Sequence, residues 1–574
     1  FKHDFLNKQI MRNLYTYSLL FVLLLLGSCE EFLEDRPTTQ FNKDQIYSSV
    51  EGAQAALNAC YAYISRSTMY GRDFQAVLAC GSGTMTAGTS SSAWADLSKL
   101  DLQTNHTYVA SVYEGHYTTI NAINDVLLNL KDSPIDQEIR DRILGEAYFL
   151  RALCYFNLIR LYGPIPLVVE PASSIESAHK PRSPISDVYN IIIEDLGNAW
   201  ELLPVSGKQP YGRPYNYAAK FLLSKVYIAM ACIKENPGDP FDASWLDENA
   251  QSYWQQAYDQ AFDVYTNGDY SLVTNFSELW DCYNPYTSES IFELEENVMT
   301  GSTTFMYHYL PGYWEGLPLT NSSNNYGRIR PLRESWDLHY ERYPGDFRLD
   351  ETYIDSLYIR NMTTTNNPGI IYYTYPYTVD NLPPTGDMSS SDELPHLRKY
   401  KDPRFTAFDA NVNVILFRYA DLILMLAESA NELGKTSEAI GYVNQLLNRA
   451  RNTPTGHRSV PADWDISISQ SETRQYIMEE RLIELKGELH EWFDNRRRGT
   501  DYFRNILQKH NDRLSELSKT MSYDYFFGIV TGSGENIKYT LTDDYVKKNL
   551  LCPFPMVEIT ANNNISEKDQ NFGY

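Results

Sequence analysis

The sequence lacks three patterns that would each indicate a class of protein. Its 7 cysteines fall in no C-x-x-C or other zinc-finger spacing, which argues against a zinc domain. Its apolar run at residues 19–27 has nine residues, whereas a membrane-spanning helix needs about 20. Basic side chains are also scarce, with 49 Lys and Arg against 74 Asp and Glu and a net charge of −25. Nucleic-acid phosphates would repel such a surface, so nucleic-acid binding is not expected.

The length and composition favour a large globular protein. Hydrophobic residues make up 43% of the 574 residues and charged residues 21%, which is typical of a folded chain. This length exceeds what one ordinary core supports, so we expect several subdomains or a repeat-built α architecture. Tyrosine is abundant, with 45 residues. Its flat ring and hydroxyl suit helix packing and also stacking on sugars or peptides.

The N-terminal segment, residues 1–28, is typical of a signal peptide. Met11 is a candidate initiator, and Arg12 precedes the apolar run, which ends in small residues. The tetrapeptide LGSC at 26–29 resembles a bacterial lipobox, which predicts cleavage before Cys29 and acylation of that residue. Several acyl chains would anchor the protein durably. The alternative is an ordinary signal peptide with an incidental cysteine. Residues 29–45 are polar and are expected to form a tether.

Helical periodicity dominates two parts of the chain, residues 46–270 and 401–574. Apolar residues recur every three or four positions near Val50, over 108–129 and over 139–162, where Gly163-Pro164 ends the pattern. Further helices pair across short turns, as at Gly434-Lys435. Helical pairs of about 34–45 residues predict a mainly α, TPR-like stack of helical hairpins.

Other segments interrupt this pattern. We expect a loop at 81–92, and an irregular, loop-rich insert at 271–400 with short strands near 289–297 and 364–380. The C-terminal helix is expected to begin at Ser471, an N-cap candidate, and to continue to about residue 499. Residues 551–559, with two prolines, are expected to be non-helical.

Five segments, in order, resemble the SusD/RagB family. GEAYFLRALCYFNLIRLYGPIP at 145–166 is similar to that family's G-E-A-x-F-L-R-A-x-x-Y-F signature. The segments at 418–431, 443–451, 479–499 and 551–559 are similar to its C-terminal region. Gly487, Leu489 and Phe572 depart from the family pattern, which puts local packing in doubt.

The resemblance implies a surface lipoprotein of the outer membrane that binds oligosaccharides or polysaccharide. It implies delivery of the ligand to a SusC-like TonB-dependent β-barrel transporter, with Glu30-Glu31 directing the anchored protein outward. It implies neither catalysis nor a cofactor, and we expect no catalytic residue and no metal ligand. A peptide-binding member of the same family is one alternative. The others are a surface glycoside hydrolase and a TPR adaptor that binds only protein.

Candidate ligand-binding residues lie in loops next to polar side chains. Trp94 follows the Ser/Thr/Gly-rich stretch, and Tyr313-Trp314 lies between glycine and proline residues, so each is expected on the surface. Arg72 and Asp73 could supply hydrogen bonds to sugar hydroxyls. The alternative for each aromatic residue is packing inside the protein, which is what we expect of Trp336.

Other chemistry-bearing patterns have structural interpretations. His490 lacks the second histidine that H-E-x-x-H requires, since Asp494 takes its place. Glu293 and Glu295 share a strand face, but sequence adjacency does not place them across a cleft. Cys60 and Cys80 could pair in an oxidising compartment, which their spacing alone does not decide. A structural cation is likewise left open.

Overall fold

The computed structural model describes ten parts of the chain. They are residues 43–87, 93–205, 212–295, 308–310, 327–354, 356–360, 370–374, 394–403, 412–520 and 538–574. Most of the described residues are helical, as the periodicity predicts. The expected signal peptide and Cys29 lie outside the described residues.

The N-terminal half contributes ten α-helices to the described part of the chain. They are α1 (Lys43–Tyr47), α2 (Val50–Ile64), α3 (Asp73–Cys80), α4 (Ala93–Lys99), α5 (Thr107–Leu130), α6 (Gln137–Tyr162), α7 (Ile175–Ala178), α8 (Ile185–Leu202), α9 (Asn216–Glu235) and α10 (Ala250–Asn267).

Nine further α-helices follow within the described residues. They are α11 (Arg333–Arg342), α12 (Phe347–Thr352), α13 (Tyr419–Glu432), α14 (Thr436–Ala450), α15 (Gln470–Glu484), α16 (Glu491–Arg497), α17 (Gly499–Thr520), α18 (Asp543–Lys548) and α19 (Met556–Ala561).

The long helices pack as successive antiparallel neighbours. Helix α5 packs on α6, α6 on α8, α8 on α9, α9 on α10, and α10 on α13, which pairs with α14. Each helix has an apolar face that its neighbours cover: α2, for example, buries Ala53, Leu57, Cys60 and Ile64. The predicted TPR-like stack is therefore confirmed. No helix in the described ranges combines the length and apolarity needed to cross a membrane.

The strands are short and pair in twos. They are β1 (Met85–Ala87), β2 (Ser290–Leu294), β3 (Ile329–Pro331), β4 (Tyr353–Ile354), β5 (Ser356–Arg360), β6 (Ile370–Thr374), β7 (His396–Leu397), β8 (Val414–Arg418), β9 (Asn452–Thr453) and β10 (Gly456–His457). The pairs are β1–β3, β2–β8, β4–β7, β5–β6 and β9–β10, all antiparallel. Strands β2 and β6 confirm the two extended segments that the sequence predicts.

Two local expectations are wrong. Residues 85–87, expected in a loop, form β1 because the backbone of β3 supplies their hydrogen-bond partners. Helix α19 begins directly after Pro555, since proline lacks only an N–H that the first turn does not use. The pairing of Cys60 with Cys80, which the sequence leaves open, does not occur: both are free, buried thiols.

The expected single C-terminal helix is in fact two helices. Helix α15 is capped by Ser469 instead of Ser471, because the Ser469 side chain and Glu472 form a reciprocal capping box. The helix then ends near Leu485. Gly487 and Leu489 both have positive φ, 78° and 69°, which no right-handed helix accommodates. The chain reverses there and starts again as α16.

A buried set of charged side chains fastens the central insert to the C-terminal helices. We call it the ionic core. Its members are Glu289, Asp346, Arg348, Lys399, Arg418, Arg449, Glu480, Glu484 and Glu488, all of them buried.

Glu484 of α15 lies at the centre of the ionic core. Its carboxylate accepts hydrogen bonds from Arg348 Nη1 and Arg418 Nη1, each at 2.8 Å, and from Arg449 Nη2. Burial alone would raise the pKa of Glu484, but the charges of these three arginines hold it well below its usual range. Arg418 also donates two hydrogen bonds to Glu488, from Nε at 2.6 Å and from Nη2 at 2.9 Å. The insert is thus held on the helical stack by paired charges.

Candidate functional site

Arg72 and Asp73, singled out from the sequence, are in contact. Asp73 opens α3 and is buried, and its Oδ1 accepts a hydrogen bond from Arg72 Nε at 2.7 Å. Its Oδ2 accepts from the hydroxyl of Ser111 on α5, at 2.5 Å. The Arg72 side chain keeps 40% of its surface exposed. The buried carboxylate therefore fixes the orientation of a cation that faces solvent.

Two aromatic side chains and a histidine lie beside this pair. The Trp94 ring is 5.8 Å from the Tyr108 ring, edge to face, and 4.5 Å from the imidazole of His308. The guanidinium carbon of Arg72 is 5.8 Å from the centre of the half-buried Tyr108 ring. We call these residues the Arg72 cluster, which comprises Arg72, Asp73, Trp94, Tyr108, Ser111 and His308.

His106 joins the two helices that carry the aromatic members of the cluster. Its Nδ1 accepts a hydrogen bond from the Val109 amide and so caps α5. Its Nε2 lies 2.8 Å from the Ala93 carbonyl oxygen at the start of α4 and donates to it when Nδ1 accepts. Burial lowers the pKa of His106. A neutral imidazole thus fixes Trp94 relative to Tyr108.

His308 brings the central insert to the cluster. Burial lowers its pKa to about 3, helped by the positive charges of Arg328 and Arg72. The imidazole is therefore neutral at physiological pH. It contributes packing contacts and a polar ring edge, and its protonation state does not change near pH 7.

The structure changes the expected role of Trp94. The sequence predicts an exposed ring on a loop, but Trp94 lies in the first turn of α4 and is 4% exposed. It is buried because Tyr108 and His308 pack against it. In this position Trp94 packs edge to face against the Tyr108 ring. Tyr313 and Trp314 lie outside the described residues. Trp336 is buried in α11, as expected, and stacks on Tyr340 at 4.8 Å.

Sequence reasoning missed three members of the cluster. Tyr108 and Ser111 fall in a strongly periodic helix, where the default interpretation is packing. A tyrosine within the first turn of a capped helix, three residues from a serine, is the signal that was available. His308 gives no local signal, since its neighbours in the cluster are about 200 residues away along the chain.

The arrangement suits a neutral, hydroxyl-rich ligand. A half-buried aromatic ring offers an apolar surface, and the fixed guanidinium beside it offers hydrogen-bond donors. Within the described ranges no three His, Cys, Asp or Glu side chains are grouped to hold a metal ion. His490, from the rejected zinc motif, instead lies 3.8 Å from Asp421 in a buried charged environment.

Family models of known proteins match segments in both halves of the chain. Residues 288–574 match a family model described as the SusD family. Residues 31–228 match one described as "Starch-binding associating with outer membrane".

Individual relatives cover most of the chain. A SusD-like protein P2 of Formosa agariphila is 26% identical over 505 residues, 84% of this chain and 90% of that protein. A SusD-like protein of Bacteroides ovatus is 22% identical over 487 residues, 82% of this chain and 80% of that protein.

Solved structures agree in fold. A SusD homologue from Bacteroides thetaiotaomicron superposes with a TM-score of 0.73 at 20% identity, covering 93% of this chain and 98% of that one. A structure described as a laminarin-binding SusD-like protein gives 0.61 at 23% identity, covering 91% and 99%. The chain thus belongs to the SusD/RagB family of glycan-binding proteins associated with the outer membrane.

Proposed function

We propose that this chain binds an oligosaccharide or polysaccharide at the Arg72 cluster together with Tyr313 and Trp314 of the central insert. The observation that carries the proposal is the geometry of Arg72 and Tyr108. The guanidinium is fixed 5.8 Å from the centre of a half-buried ring and remains 40% exposed. Apolar C–H faces of a sugar pack on such a ring, while the guanidinium donates to its hydroxyls.

Two comparisons guide the choice of first ligands. The structure described as laminarin-binding shares the fold over 91% of this chain. The family model for residues 31–228 is described as starch-binding. Laminarin and starch are therefore the first polysaccharides to test, with a peptide mixture to test the peptide-binding alternative.

We propose binding without hydrolysis. Glycoside hydrolysis needs two carboxyl groups on either side of the scissile bond. Asp73 is the carboxylate of the Arg72 cluster, and both of its oxygens already accept hydrogen bonds. Glu293, the other carboxyl group considered, is buried in β2 and accepts from Asn413 Nδ2 at 2.9 Å. Burial raises its pKa, and no described contact joins it to Asp73.

The proposal includes delivery as well as binding. We propose that Cys29 carries the lipid anchor, that the protein faces the cell exterior, and that it transfers the glycan to a SusC-like TonB-dependent β-barrel. The resemblance to the family supports this part of the proposal. Cys29→Ala tests the anchor: the variant should stay uncleaved or leave the membrane fraction, and an unchanged membrane fraction would argue against acylation.

The binding step is tested by affinity electrophoresis in native gels that contain laminarin or starch. The wild-type protein should be retarded, and Trp314→Ala should lose about 1–3 kcal/mol of stacking energy, enough to abolish visible retardation. Trp314→Phe keeps a ring and should stay retarded. Melting temperatures should be nearly equal for the three proteins.

Two outcomes would contradict the proposal. If Trp314→Ala unfolds the protein, then Trp314 belongs to the core and not to a binding surface. If the purified wild-type protein releases reducing sugars, and a carboxylate substitution stops the release, then the chain is a glycoside hydrolase.

A further inference from the structure

A cavity of about 70 Å³ lies between the N-terminal and C-terminal halves of the molecule. Helices α6, α8 and α9 line one side of it, and α13, α15 and α16 line the other. It shares no lining residue with the Arg72 cluster or the ionic core. A water molecule needs roughly 10–15 Å³ by this measure, and about 150 Å³ accommodates benzene in an engineered cavity. The cavity thus has room for a few waters or one small molecule.

Three buried hydrogen-bond donors on the cavity wall find no partner among the described residues. They are Tyr189 Oη on α8, Arg481 Nη1 on α15 and Trp492 Nε1 on α16. Each of these side chains is almost completely buried. Buried donors are rarely left without an acceptor, because leaving them so costs the full desolvation of the group. Three such donors in the lining of one cavity indicate a ligand that accepts hydrogen bonds.

Positive charge on the wall exceeds negative charge. The wall carries five cations, Arg160, Lys225, Arg481, Arg496 and Arg497, against three carboxylates, Asp239, Glu428 and Asp494. Burial lowers the pKa of His490, which also lines the cavity, to about 4, so that this group is neutral at pH 7. Behind the wall, Asp421 pairs with Lys225 at 2.6 Å and with Arg481 at 2.9 Å. A surplus of one positive charge remains.

Of these cations, Arg496 donates to the backbone carbonyls of Asn549, Trp492 and Gly81, and Arg160 likewise has no carboxylate partner among the described residues. No described carboxylate lies within ion-pair distance of it, and its guanidinium is sandwiched between the rings of Phe156 and Phe493, at 3.7 and 3.5 Å. It donates to the Phe156 carbonyl at 2.9 Å and to Asn157 Oδ1 at 2.8 Å, which are neutral acceptors. Burial lowers its pKa to about 9. Arg160 is partly buried and Arg496 is buried, and a cation removed from water without a compensating charge is costly, so that an anion would offset that cost.

We propose that the cavity binds a small carboxylate monoanion of the size of acetate. The planar carboxylate matches the planar guanidinium of Arg160 and accepts from Tyr189, Arg481 and Trp492. Phe241 and Met425, also on the wall, offer an apolar surface for a methyl group. Water molecules would satisfy the three donors but would leave the surplus positive charge uncompensated. That charge therefore favours an anion over water as the occupant of the cavity. The bound anion would join α6 and α8 to α15 and α16.

The test uses the full chain and acetate itself. Saturation-transfer NMR on the acetate methyl protons should show binding, and acetamide, a neutral molecule of the same shape, should show none. At about 100 times its dissociation constant, acetate should raise the melting temperature by about 2 °C relative to sodium gluconate at equal ionic strength. Gluconate is too large for the cavity.

Two variants locate the bound anion. Tyr189→Phe removes one hydroxyl and should weaken acetate binding about 5-fold, while Arg160→Met should weaken it more than 10-fold. Thr473→Val is the matched control: it deletes another buried hydroxyl without a partner among the described residues, on α15 but away from the cavity wall. Its acetate affinity should be unchanged.

Three results would overturn the proposal. The first is the absence of saturation transfer from acetate. The second is equal stabilisation by acetate and acetamide, which would show that charge is not recognised. The third is an unchanged acetate affinity in Tyr189→Phe, which decides the question even if Arg160→Met does not fold.

Discussion

Arginine serves two different purposes in the Arg72 cluster and the ionic core. Arg418 is 1% exposed, and its guanidinium forms ion pairs with Glu289, Glu484 and Glu488. Arg72 is 40% exposed and pairs with the buried carboxylate of Asp73. The residue types are the same. The difference lies in how much of the guanidinium the fold leaves exposed, and that decides whether a charged pair holds the molecule together or is accessible to a ligand.

The two regions should also differ in energetic sensitivity. Removing one member of a buried ion pair leaves the other as an uncompensated charge in a poorly solvated place. Removing one member of an exposed pair costs little, because water replaces it. Substitutions in the ionic core should therefore affect stability, and those in the Arg72 cluster should affect binding.

The largest effect is expected for Arg418→Met. The substitution leaves Glu289, Glu484 and Glu488 with fewer compensating charges, and it should lower the free energy of unfolding by about 3–5 kcal/mol. Urea unfolding followed by circular dichroism measures this change. Arg458→Met is the matched control, since Arg458 is 41% exposed and lies 3.8 Å from the exposed Asp350. Its effect should stay within about 1 kcal/mol. Equal losses of unfolding free energy in the two variants would contradict the expected difference between buried and exposed ion pairs.

The second prediction concerns the loss of folding stability at low pH. Burial alone would raise the pKa of Glu428 on α13, but the charges of Arg497 and Arg498 lower it from 4.5 to about 2. A carboxyl group whose pKa is depressed by folding stabilises the protein above its unfolded pKa. That stabilisation, on the order of 3 kcal/mol, is lost as pH falls from about 5 through 2.

Glu428→Gln tests this assignment. Its urea midpoint should vary less than that of the wild type between pH 5 and pH 2. Asp501→Asn, at a carboxylate that is 93% exposed, should keep the wild-type dependence. A Glu428→Gln curve parallel to the wild type would show that other carboxylates cause the acid sensitivity.

The smallest change in stability is expected for Arg72→Met. The buried Asp73 loses its charged partner but retains the hydroxyl of Ser111, so the free energy of unfolding should fall by about 1–3 kcal/mol. Laminarin or starch affinity, measured by isothermal titration calorimetry, should fall about 10-fold, because the sugar loses a charged hydrogen-bond donor. Arg458→Met has a similarly exposed guanidinium, 5.3 Å from the Phe347 ring, and should bind like the wild type. A loss of affinity in both variants would show a non-specific charge effect.

The helical stack could be predicted from the sequence because its signals are local. Apolar spacing defines α2, α5 and α6, and Gly163 marks the end of α6. The break between α15 and α16 could not be read in the same way. The positive φ at Leu489 is imposed by tertiary contacts, and leucine gives no hint of it.

The site was only partly predictable. Arg72 and Asp73 are adjacent in sequence, so their contact could be anticipated. The burial of Trp94 could not, since it depends on His308 from the insert. The ionic core was missed entirely: its ion pairs include Arg418–Glu484, 66 positions apart, and Arg449–Glu289, 160 positions apart.

The ionic core also constrains the order of folding. Glu289 reaches its partner Arg449 across 160 residues, and Arg348 reaches Glu484 across 136. Contacts of such long range form late, after the intervening chain has been made and has collapsed. The insert therefore gains a fixed position only when α15 packs against it. That helix ends about 90 residues before residue 574 and is synthesised late. A truncated chain that stops before α15 would keep its N-terminal helices but would leave the insert without an anchor.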